Sequence, residues 1–143
     1  MKVFLDTDIL LDVVLRREPY WRDSAAVLDA CEDGKVEGST SVLVLANIGY
    51  IVERAESAAK ARDAITTLRS FLRVCSLTDR ELGEALVSDF GDLEDAMQHF
   101  ICVREGIGTI VTRNVPDYRR SDRTIVTPPE LLRRSPWAKD CRQ

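Results

Sequence analysis

The sequence predicts an α/β domain with a mainly parallel sheet and helices on both faces. Two observations carry this. Short β-rich runs alternate with helical segments along the whole chain, the order a parallel sheet needs because each crossover is long enough to hold a helix. Caps, prolines and glycines fall between those runs, where elements should start and stop. The size agrees with one domain over residues 1–143: the chain is 45% hydrophobic, enough for a real core, and 31% charged.

The elements follow in order. Lys2–Leu5 reads as the first strand, since Val3, Phe4 and Leu5 form a continuous apolar run. Asp8–Arg16 reads as a short helix, and Pro19 marks a break after it. Tyr20–Glu32 has helical spacing through Ala25, Leu28 and Cys31, and Gly34 stops it. Val36–Thr40 is a second short strand. Ser41 then opens a strongly apolar helix over Val42–Arg54, and Ser57–Leu72 is another, alanine-rich and amphipathic. Val74–Leu77 is the weakest strand candidate. Thr78 or Asp79 caps a helix running to about Val87. "GDLEDAMQHFICVREG" is a helix ending at Gly106. "GTIVT" at 108–112 and "TIVT" at 124–127 are β-rich, with a polar loop between them. "PPELLRR" closes the pattern as a short helix with proline in its first turn.

Composition excludes several function classes. No apolar run reaches the roughly 18 residues of a membrane span. Asp6 and Asp8 interrupt the N-terminal apolar stretch, unlike a secretory signal, so a cytoplasmic protein is expected. The four cysteines, Cys31, Cys75, Cys102 and Cys141, form no C-x-x-C pair, and His99 is the single histidine. That argues against structural zinc and for reduced, mostly buried thiols. The formal net charge of −4 does not indicate a broad nucleic-acid surface. The charge is uneven, however. Residues 1–112 carry 12 Lys and Arg against 20 Asp and Glu, and residues 113–143 carry 8 against 4. A basic patch for an RNA backbone and a solvated surface that balances the acidic part both fit this distribution.

The carboxylates are the informative feature. "VFLDTDILLD" places Asp6, Asp8 and Asp12 at the edge of the predicted core. Buried carboxylates are costly unless paired, hydrogen-bonded or bound to a cation. Asp6 directly follows an apolar strand, while Asn114 and Asp117 follow the run at 108–112. In open α/β sheets, sites form beyond the carboxyl ends of strands. A second acidic cluster lies on the late helix, where Asp92, Asp95 and His99 fall within about 60° of one another. Asp92 also suits an N-cap with Asp95 as its capping-box partner, but a site role is favoured for Asp95. Asp8 can cap the first helix, and Asp12 can face water or serve structure. Carboxylates brought together need a counter-charge, and Mg²⁺, which prefers carboxylate and water oxygens, supplies one.

These residues resemble a PIN domain, the fold of VapC-type toxin ribonucleases. The anchors are "VFLDTDILLD", "DLEDAMQHF", and "TIVTRNVPDY" followed by "TIVTPPELL", in that order over most of the chain. The resemblance implies a three-layer α/β/α fold around a mainly parallel sheet. It implies an acidic pocket that binds Mg²⁺ or Mn²⁺ and cleaves RNA, leaving a 5′-phosphate and a 3′-hydroxyl. Asp6 matches the family's first acid and Asp95 its late-helix acid, with Asp92 as a neighbouring metal-holding candidate. Asn114 and Asp117 match the positions after the "TR" turn. Asp8 matches a position that orders the loop. Thr7 or Thr112 is expected to position a phosphate or water and Arg113 to contact the scissile backbone; His99 is expected to be a surface or packed residue, with contact to RNA or proton donation as the alternative. A small antitoxin that covers the acidic groove and a homodimer are the partners implied, with Val42, Leu43 and Leu45 open to the core, the dimer or the antitoxin.

One position departs from the pattern. The family usually carries a glutamate on the helix after the second strand, and the matching residue in "SVLVLANIGYIVE" is Asn47. An amide brings no charge, so a slower nuclease, compensation by Asp92 or a loss of catalysis would each follow. Two other classes stand beside the nuclease: a non-catalytic PIN-like module that binds RNA or protein, and an aspartate-nucleophile phosphatase of the HAD type. The phosphatase shares the strand-then-Asp-x-Asp start, but no phosphate-binding lysine stands between the later strands.

Overall fold

In a computed structural model that describes residues 1–137, the chain forms five strands and seven α-helices in the order β1 (Lys2–Leu5), α1 (Thr7–Val14), α2 (Trp21–Glu32), β2 (Glu37–Ser41), α3 (Val42–Ala55), α4 (Ala58–Phe71), β3 (Arg73–Cys75), α5 (Asp79–Leu86), α6 (Leu93–Glu105), β4 (Thr109–Val111), β5 (Thr124–Val126) and α7 (Pro128–Arg134), with a 3₁₀ turn at Val115–Tyr118. The sheet order is β3-β2-β1-β4-β5 and every pairing is parallel. The predicted α/β class and three-layer α/β/α architecture are what the chain adopts. Contacts among α1, α2, α3, α4 and α7 form one layer, while α5 and α6 pair separately. Right-handed crossovers put the second group on the opposite face.

β1 sits at the centre, covered on both sides, and this explains its unbroken apolar run: Val3, Phe4 and Leu5 are fully buried. Strand order runs outward from β1 through β2 and β3, then resumes on β1's other side with β4. The chain therefore reverses direction between β1 and β4, and a crevice opens outside the carboxyl ends of those two strands.

Boundaries differ from the expected ones for local reasons. The first helix begins at Thr7, with Asp6 as its N-cap, not Asp8. It ends at Val14, because Arg16 takes a left-handed φ of 48° that a helix cannot continue through. The pairing register moves β2 one residue later than predicted and β3 one earlier, with Ser39 opposite Arg73. Gly106 ends α6 in the left-handed region, as the sequence indicated. Gly38 on β2 is required by close approach, since a Cβ there would stand 2.5 Å from the Cys31 Sγ. Cys31, Cys75 and Cys102 are buried free thiols. The expectation for Cys141 lies outside the described residues.

Candidate active site

A cleft of about 270 Å³ opens at the reversal point between β1 and β4. Its lining includes Asp6, Asp8, Asp92, Glu94, Asp95 and Asp117, with Arg17 as the one basic residue. Thr7 and Asn114 line it as well. A larger cavity of about 490 Å³, lined by Tyr20, Arg113 and Pro128, contains none of these six carboxylates; its one acid is Asp23. The chemistry concentrates in the smaller cleft.

Asp6 is the most tightly held of the six. Its Oδ1 accepts from the Thr7 backbone N–H at 2.7 Å, as the cap of α1. Its Oδ2 accepts from the Thr112 hydroxyl at 2.9 Å and lies 3.2 Å from the Tyr118 hydroxyl. Burial nonetheless raises its pKa, and Glu94 adds to the rise. Asp8 lies two residues further on, in the first turn of α1. Its Oδ2 accepts from the Arg113 backbone N–H at 2.8 Å, tying the β1–α1 turn to the loop after β4. Its Oδ1 is buried without a partner, as is the Thr7 hydroxyl. Burial, then repulsion from Asp6, pushes the Asp8 carboxyl up to about 6.

The start of α6 supplies the facing wall. Asp92 is the N-cap of this helix, accepting from the Asp95 backbone N–H at 2.9 Å, and it lines the cleft too. Cap and cleft residue are thus the same side chain. Asp95 is pushed up to about 7 by burial, then by Asp6 and Asp92. Glu94 is raised by burial and by Asp92, against hydrogen bonds from Asn47 and Gln98 that lower it. Asn114 and Asp117 sit exposed on the rim beyond β4.

Several expected residues do other work. Thr112 is fully buried, so it holds Asp6 and accepts from the Asn114 N–H at 3.1 Å; it does not face a phosphate. Arg113 does not reach into the cleft. Its guanidinium makes a paired contact with Asp12, at 2.7 and 3.0 Å, and lies 3.9 Å from the Tyr20 ring centroid. Asp12 accordingly does not face water; it is completely buried and its charge is matched. His99 is outside the cleft. It sits about 6 Å further along the α6 axis than Asp95, buried between Phe90 and Phe100, with Nδ1 2.7 Å from the Ser121 hydroxyl. Burial lowers its pKa. Of the three apolar residues left open on α3, Leu45 is buried in the core and Val42 is exposed.

Three residues of this site escaped the sequence reading. Glu94 lies between Asp92 and Asp95 and carries no spacing signal of its own. Tyr118 is brought to Asp6 by a contact across 112 positions of chain, and Gln98 to Tyr118 by one across 20. The "PDY" run, with an aromatic hydroxyl directly after Asp117, was the only local sign of Tyr118.

The family model described as "PIN domain" matches residues 2–116. The chain belongs to the PIN domain family. This removes the aspartate-nucleophile phosphatase alternative. No curated protein matches the sequence. Among solved structures, this PIN domain is similar to VapBC2 from Rickettsia felis bound to a promoter DNA fragment, at 18% identity, over 88% of this chain and 97% of that one, with a TM-score of 0.66. It is similar to a toxin–antitoxin complex from Klebsiella pneumoniae, at 20% identity, over 88% and 97%, with a TM-score of 0.65. It is also similar to Mycobacterium tuberculosis VapC20, described as a sarcin-ricin loop cleaving toxin, at 16% identity, over 76% and 86%, with a TM-score of 0.63. At these identities the likeness establishes the shared fold.

The cleft's donor set suits a hard divalent cation. Six carboxylates line one concavity, at least four of them raised by burial and by each other. Asp8 Oδ1 and the Thr7 hydroxyl are buried oxygens with no partner. Among the described residues, no three His, Cys, Asp or Glu side chains converge into a finished ligand cage. A Mg²⁺-type ion needs only one or two carboxylates, because it keeps several waters.

Proposed function

We propose that this PIN domain is a Mg²⁺- or Mn²⁺-dependent ribonuclease, the toxin of a toxin–antitoxin pair. The observation that carries the reading is a cleft of mutually repelling carboxylates at the strand-order reversal of a PIN fold. The toxin assignment draws on neighbours described as toxin–antitoxin complexes and as an RNA-cleaving toxin.

Asp6 and Asp95 would hold the cation, with Asp92 beside them. Asn114 and Asp117 on the rim beyond β4 would complete its surroundings or meet the substrate. An ion held there would supply charge compensation for the phosphodiester and a more acidic water as nucleophile. The protein's own contribution is placement. Thr7, Thr112 and Tyr118 fix the Asp6 carboxylate from three directions. Asp92 fixes the first turn of α6 and so the position of Asp95. Hydrolysis would leave a 5′-phosphate and a 3′-hydroxyl.

A small antitoxin covering the acidic cleft and a homodimer complete the proposal. Among the described residues no helix is long and apolar enough to cross a membrane, and a cytoplasmic setting is part of the same reading. The second reading, a PIN module that binds without cutting, is favoured by one residue, Asn47.

The test is RNA cleavage by purified protein with Mg²⁺ or Mn²⁺, beside an EDTA control and Asp95→Asn. Metal-dependent cleavage lost in the variant, with its fold intact, is expected. A variant that cuts as fast as the natural chain would overturn the role of Asp95. Metal binding with no cleavage of any RNA would favour the binding module.

A further inference from the structure

The cleft's unexpected carboxylate stands against the anomalous amide of α3. Asn47 on α3 donates from Nδ2 to Glu94 Oε1 on α6 at 2.6 Å. Gln98, one turn along α6, donates to that same oxygen at 3.3 Å. Neither donor uses Oε2, and Glu94 lines the cleft beside Asp92 and Asp95.

The frame extends to the cleft's first acid. Gln98 is fully buried, and its amide oxygen lies 3.3 Å from the Tyr118 hydroxyl. That hydroxyl is 3.2 Å from Asp6 Oδ2. These contacts link Asn47 through Glu94 and Gln98 to Tyr118, whose single hydroxyl proton is offered either to Gln98 or to Asp6. Glu94 is oriented by the same scaffold that orients Asp6, although the two acids lie on different layers.

We propose that Glu94 supplies from α6 the carboxylate that PIN domains usually place on α3, and that Asn47 is its positioning partner. The proposal rests on the metal-dependent reading above. A glutamate at position 47 would bring a second carboxylate, on a side chain one methylene longer, against the Glu94 carboxylate that Asn47 now meets as a donor. One acid and one amide satisfy this contact in either arrangement. Asn47 is then half of a relocated acid, and the cleft keeps its charge for a divalent cation. A merely structural tie between α3 and α6 would need no charge, and a glutamine at 94 would preserve it.

Mn²⁺ titration of the full chain, followed by calorimetry and thermal shift, separates these cases. The set is the natural chain, Glu94→Gln, the exchange Asn47→Glu with Glu94→Gln, and Asp6→Asn. Glu94→Gln is expected to melt no lower than the natural chain without metal, since it removes one of several repelling charges. Its Mn²⁺ affinity should fall at least about tenfold. The exchange should recover most of that loss. Natural Mn²⁺ affinity in Glu94→Gln, with binding lost in Asp6→Asn, would overturn the relocation and leave the acidic-cleft reading standing. Natural affinity in both variants would overturn both. Should Glu94→Gln fail to fold, the exchange decides alone: natural affinity supports the relocation, and weak binding in a folded protein overturns it.

Discussion

Asp95 and Asp8 titrate in an unusual direction for a folded protein's carboxyls. Both are raised, Asp95 to about 7 and Asp8 to about 6, chiefly by burial and then by neighbouring acids. A raised carboxyl favours the protonated native state. Its contribution is complete below the unfolded value near 4 and is lost as pH rises through the folded one. The metal-free protein should therefore lose stability between about pH 4 and pH 7. Thermal melts in EDTA near pH 5 and near pH 8 check this, with the lower melting temperature expected at the higher pH. Asp95→Asn should flatten the slope, and added Mn²⁺ should raise the melting temperature most at the higher pH. Arg113 makes the opposite kind of statement. It matches the fully buried Asp12 through two hydrogen bonds. Removing it strands a buried charge, so Arg113→Ala should cost about 3–5 kcal/mol in urea unfolding. An Asp12→Asn, Arg113→Ala pair should recover part of that.

At the scale of elements, α6 has two tasks at one end. Its first turn is capped by Asp92 and presents Asp92, Glu94 and Asp95 to the cleft. Asp92→Ser keeps a cap but removes a charge, whereas Asp92→Ala removes both. The serine variant should retain natural stability and bind Mn²⁺ more weakly. The alanine variant should also lose about 1 kcal/mol of stability. Equal Mn²⁺ affinity in the natural chain and the serine variant would reduce Asp92 to a cap. These elements were largely legible beforehand because they are locally encoded. Gly106 stops α6, Ser41 caps α3, and "PPELLRR" starts α7 with its prolines. The first helix was misplaced by one residue at its start because Asp6 and Asp8 are equally good caps by type. Only the approach of Arg113 to Asp8 separates them. Within the site, Asp6, Asp92, Asp95, Asn114 and Asp117 were visible as acids or amides at strand and helix ends. Glu94, Gln98 and Tyr118 were not, because their roles come from contacts between layers that no local spacing records. The pairing that holds the Arg113 guanidinium out of the cleft was hidden for the same reason, since its partner Asp12 lies 101 positions away.

Across the whole molecule, topology and charge act together. The reversal between β1 and β4 gathers acids from the β1–α1 turn, the start of α6 and the loop after β4 into one cleft. A chain of net charge −4 with such a cleft repels a phosphate backbone until a cation enters. Cation binding is thus the step on which the proposed activity depends, and it can be measured without knowing the RNA. Calorimetric titration of Mn²⁺ at neutral pH into the natural chain, Asp6→Asn and Asp95→Asn tests it most directly. Saturable binding by the natural chain, lost in both variants while their folds persist, is the predicted result. The same affinity in all three proteins, or no binding by the natural chain at millimolar Mn²⁺, would contradict a shared metal site at Asp6 and Asp95.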